Sequence, residues 1–113
     1  MNMSPNELLR LQRIMALLSL GILEALNDEL ISIREAELLL FSPANLKMCE
    51  RIGAEPELYD LIHIGTELDS IKDLLTAQDL INAVSKIRSN AKSLLSRIGP
   101  SDTQLDRWDW QLN

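Results

Sequence analysis

His63 is the chain's one histidine. It stands three residues after Asp60 and four before Glu67, inside the run LYDLIHIGTELDSIKDLL from Leu58 to Leu75. On a continuous helix these three side chains share a face. An imidazole between two carboxylates suits metal ligation or proton transfer. Neither is well supplied here. A zinc set would need further His or Cys ligands nearby. A carboxylate bundle repeats a Glu-x-x-His unit that this chain lacks. A structural histidine, bonded to a carboxylate or a helix-end carbonyl, is the stronger reading.

The other reactive groups point the same way. Cys49 is the one cysteine and lies three residues from both Leu46 and Ile52, on the apolar side of its segment. That spacing predicts a buried, inert thiol. Gly-x-Ser-x-Gly, a phosphate loop and the dinucleotide fingerprint are all absent. The expectation is a protein that is not an enzyme, with no metal and no cofactor. One cysteine allows no internal disulfide, which fits a reducing, cytoplasmic setting.

Charge is the more informative pattern. The net charge is −6, from 17 acidic and 11 basic residues. Residues 55–79 hold Glu55, Glu57, Asp60, Glu67, Asp69, Asp73 and Asp79 against Lys72 alone. The remaining acidic and basic residues cancel, so this segment carries the whole net charge. Direct nucleic-acid binding calls for the opposite sign. A local acidic surface instead steers basic protein partners. The bland alternative is a solvated face, partly neutralised by the basic last helix with Lys86, Arg88, Lys92 and Arg97.

The elements that position these residues are helical. Leu and Ile dominate the apolar set and Val84 is the one valine, which favours helix over strand. Ser4-Pro5-Asn6-Glu7 is a capping box with Pro at the first helical position. The helix it opens, to about Asn27, has almost no polar face between Arg13 and Glu24, predicting burial nearly all round. The apolar run Ile14–Leu23 is too short to span a bilayer. Ser32–Glu35 reads as a second capping box, opening a helix to about Phe41 that buries Ala36, Leu39 and Leu40. Ser42-Pro43 starts a third helix, ended by Gly53 as a left-handed cap. A fourth follows Pro56, and Gly65 breaks or bends it. A short helix continues through Leu75. Thr76–Asp79 opens the last helix, which stops at Gly99-Pro100 with Leu80, Val84, Ile87, Ala91, Leu94, Leu95 and Ile98 inward.

The expected fold is all-α: a compact single-domain bundle of five to six helices around a buried N-terminal helix. The domain is residues 1–98, followed by a tail, 99–113, with two tryptophans. Trp108 and Trp110 alternate with polar residues. They fold back onto the domain, or anchor a partner, since Trp is enriched in binding hot spots, or belong to a disordered end.

Two segments carry a family resemblance. They are Ile31-Ser32, Glu35-Ala36-Glu37, Leu39-Leu40-Phe41 and Pro43, and then Ile62-His63-Ile64-Gly65-Thr66-Glu67-Leu68 with Ile71. Together they resemble a family of small all-helical bacterial proteins known as a domain of unknown function, over roughly residues 15–98. Such proteins are similar to the immunity proteins of polymorphic toxin and contact-dependent growth inhibition systems. The resemblance implies a cytoplasmic immunity protein that neutralises a cognate toxin, but it assigns no site residues. The charge adds that such a toxin would be basic, of RNase or DNase type. The candidate partner-binding residues are Glu57, Asp60, Glu67, Asp69, Asp73, Trp108 and Trp110, with no direct nucleic-acid or membrane contact. The alternative is a regulatory or scaffold module, homodimeric or not, without catalysis.

Overall fold

The computed structural model describes residues 3–99. Six helices follow one another: α1 (Pro5–Asn27), α2 (Ile33–Leu39), α3 (Pro43–Ile52), α4 (Pro56–Thr66), α5 (Leu68–Leu74) and α6 (Ala77–Arg97). There is no strand among the described residues, and the domain is all-α.

Most starts follow the sequence signals. Ser4 Oγ accepts from the Glu7 amide while the Glu7 carboxylate accepts from the Ser4 amide, closing the box at α1. At α6 the same reciprocal box forms between Thr76 and Asp79. At α2 only half of it forms: Ser32 Oγ accepts from the Glu35 amide, without the return bond. Gly53 ends α3 at φ 68°, the left-handed conformation that glycine adopts without a steric penalty.

Helix α1 departs from expectation. Its inner side buries Met15, Ala16, Ile22 and Leu23, but Ile14, Leu17 and Leu18 are 54%, 50% and 42% exposed. The helix is not enclosed. The centre of the bundle is α6, which packs most extensively on α4 and next on α1. The reason is that α1 meets the bundle mainly through α6, on one side, so none of the described helices covers its apolar excess. Helix α2 also differs. It ends at Leu39, Leu40 leaves helical geometry, and Phe41 turns fully inward, while Leu38 and Leu39 stay exposed. Once the chain departs from the helix at Leu40, helical spacing no longer decides which side chain is buried.

Two contacts invisible in the pattern hold the ends together. Gln12 is buried, and its Oε1 accepts from the Glu55 amide at 2.7 Å, serving the start of α4, where no local side chain caps the helix. Arg13 Nη1 donates to the Ile98 carbonyl at 2.8 Å, tying the end of α6 to α1. Helix-end polar groups taken from water need such partners.

Gly65 does not end α4, which continues one residue further to Thr66. A Cβ there would overlap Phe41 Cγ and Cδ1 and lie 2.8 Å from Phe41 Cβ. The missing side chain is what lets α4 sit against the buried Phe41 ring. The junction with α5 falls instead at Glu67, whose backbone serves as C-cap of one helix and N-cap of the next.

Candidate functional site

The acidic segment folds into α4 and α5 and the connection to α6. Leu58, Leu61, Ile62 and Leu68 are buried and pin the two helices to the core. The same spacing directs Asp60 and His63 outward along α4, Glu67 outward at its C-cap, and Asp69 and Asp73 outward along α5; all five are exposed.

The carboxylates divide into two sets. Glu55 and Glu57 are occupied by Arg97 of α6: Nη1 lies 2.9 Å from Glu55 Oε1 and Nη2 lies 2.6 Å from Glu57 Oε1. The hydrogen bond from Arg97 holds the Glu57 carboxyl below its ordinary range, and the pairing raises the guanidinium in turn. Glu57 is therefore a member of a surface clamp between α4 and α6, less available to a partner than sequence reasoning supposed. Asp60, Asp69 and Asp73 form no ion pair among the described residues. Glu67 meets only His63, at 3.9 Å between Oε2 and Nε2. Lys72, the lone cation of the segment, borders a depression shared with Glu29 and Glu35.

His63 is exposed. Its ring lies 6.1 Å from that of Tyr59, centroid to centroid. Thr66 Oγ1 donates to the His63 carbonyl, a local turn contact. No group of three or more His, Cys, Asp or Glu side chains is arranged to hold a metal among the described residues. Cys49 is buried, as its spacing predicted, and burial pushes its thiol up to about 11, disfavouring the thiolate.

Sequence reasoning missed an apolar groove of about 400 Å³ between the end of α1, α5 and the first half of α6. Leu23, Leu26, Leu68, Ile81 and Val84 line it, with Arg88 among them. Ile81 is 59% exposed, and Leu74, at the end of α5, is 79% exposed. Leu74 does not line the groove, and no local sequence signal marks it, because its walls come from α1, α2, α5 and α6 together. Trp108 and Trp110 lie outside the described residues.

The fold and this surface define a small all-α domain whose polar and apolar faces are set by helical spacing. No helix among the described residues is long and apolar enough to cross a membrane. The chain belongs to a family described as protein of unknown function, DUF3969, whose model matches residues 6–110. That match reaches past α6 through both tryptophans. Comparison with curated proteins and with solved structures gives no match.

Proposed function

We propose that this domain is an immunity protein that binds and neutralises a basic bacterial toxin of nuclease type, acting in the cytoplasm. The observation that carries the reading is the division of the carboxylates. Arg97 takes Glu55 and Glu57, while Asp60, Asp69 and Asp73 stand exposed without an ion pair among the described residues, and exposed Glu67 meets only His63. A nuclease active site presents cations to phosphate, and a surface of uncompensated carboxylates occupies them. Charge brings speed and selectivity; tight inhibition also needs a desolvated apolar anchor. The groove beside α5 supplies a receptacle for one. Inhibition in this reading is by occlusion and needs no catalytic residue.

Co-expression with the product of the adjacent gene tests the proposal. A stable complex is expected, weakened when Asp60, Glu67, Asp69 and Asp73 are all changed to Lys and weakened by salt. Failure of any basic partner to co-purify at low salt would count against the reading, as would a complex indifferent to the four reversals.

A further inference from the structure

We infer that the outer face of α1 is the interface of a symmetric homodimer, in which two copies of this chain pack antiparallel along that helix. Ile14, Leu17, Leu18 and Gly21 follow one another at helical spacing on the side of α1 turned away from α6, and all four are exposed. This stripe is as apolar as the buried one but has no covering neighbour among the described residues.

The stripe is complementary to itself. In an antiparallel pair centred between Leu17 and Leu18, Ile14 of each copy falls opposite Gly21 of the other. Nothing lies within 4 Å of a Cβ placed at Gly21, so the position is an open notch. A branched side chain facing a glycine is the size match that lets helices approach closely.

The charges match in the same register. Arg10, Leu17 and Glu24 recur every seven residues along one edge of the stripe, and Asp28 lies 18 residues from Arg10, about five turns along the same line. A two-fold axis across antiparallel helices brings the same edge of both copies together. Arg10 of one copy then lies between Glu24 and Asp28 of the other, and the reverse contact repeats it. Among the described residues none of Arg10, Glu24 and Asp28 forms an ion pair, although Ser4 and, from nearby, Arg10 lower the Glu7 carboxyl and Asp28 accepts from Asn27 Nδ2. Arg10 Nε is shielded from water with no acceptor among the described residues. The groove opens on the side of α1 facing α6, so the dimer leaves it free. The inference is independent of the proposed function and is tested without any partner.

One helix face is a small interface, at the low end of the range for stable pairs, so the dimer should be concentration-dependent. Sedimentation equilibrium of the full chain is expected to show 12.8 kDa monomers at low concentration and twice that mass at high concentration. Leu17→Glu should leave only monomer. Arg10→Glu should weaken association by about tenfold, and adding Glu24→Arg should restore it, because the swap rebuilds the pair across the axis. The inference is overturned by a chain that stays monomeric to about 1 mM, where no specific affinity remains. It is overturned equally by a dimer that Arg10→Glu leaves unchanged. A monomer whose tryptophan emission shifts red in Leu17→Glu would show instead that residues 100–113 of the same chain cover the face.

Discussion

Replacing Gly65 by alanine should destabilise the domain, against the usual effect of that change in a helix. In an open helix interior alanine is favoured over glycine by about 1 kcal/mol. Here the added methyl would overlap two ring carbons of Phe41 and lie 2.8 Å from its Cβ. The ring is fully buried, and its Cβ cannot rotate away because the backbone fixes it. Inserting a methyl into a packed site of this kind costs about 1–3 kcal/mol, and at the three-atom overlap the upper part of that range applies. After subtracting the helical preference, a net loss of about 2 kcal/mol remains, or a melting temperature lower by about 10 °C for a domain of this size. Urea denaturation followed by helical ellipticity measures it. Gly21→Ala is the internal control: that position is helical and open, so stability should rise by up to about 1 kcal/mol in dilute protein. In a Phe41→Leu background, where a flexible chain replaces the rigid ring, Gly65→Ala should lose at least half of its penalty. If Gly65→Ala stabilises as Gly21→Ala does, the close approach of α4 to Phe41 is wrong.

Gln12→Leu should lower stability by about 1–3 kcal/mol, since the Glu55 amide would lose its acceptor inside the bundle; amide exchange should speed at Glu55, and unchanged protection there would refute the contact. Stability should also fall in acid. The backbone hydrogen bond from Ser4 lowers the Glu7 carboxyl, Arg97 lowers Glu57, and Thr76 lowers Asp79. Folded values below unfolded ones mean that this stabilisation is present above about pH 4–5 and is lost as pH falls through the folded values. Urea midpoints should be flat near neutrality and decline below that window, with a shallower decline in Glu57→Gln.

Local signals alone determined much of this protein. Ser4, Ser42 and Thr76 mark helix starts through bonds from amides three residues on, and Gly53 marks an end through its own φ. The inward line of α6, from Leu80 through Ile87, Ala91 and Leu94, was legible for the same reason: helical periodicity is a property of neighbouring residues. The outward set of Asp60, Glu67, Asp69 and Asp73 was legible as its complement. What only the tertiary structure decided involves residues distant in the chain. An apolar face is buried only if another element arrives to cover it, and for Ile14, Leu17 and Leu18 none of the described helices does. Whether Glu57 is free depends on Arg97, 40 residues later. Gln12 reads as an ordinary polar residue until Glu55, 43 residues away, turns it into a buried cap. Gly65 reads as a helix breaker until Phe41 occupies the space its side chain would need. Spacing assigns each residue to a face of its helix, but packing decides what that face meets.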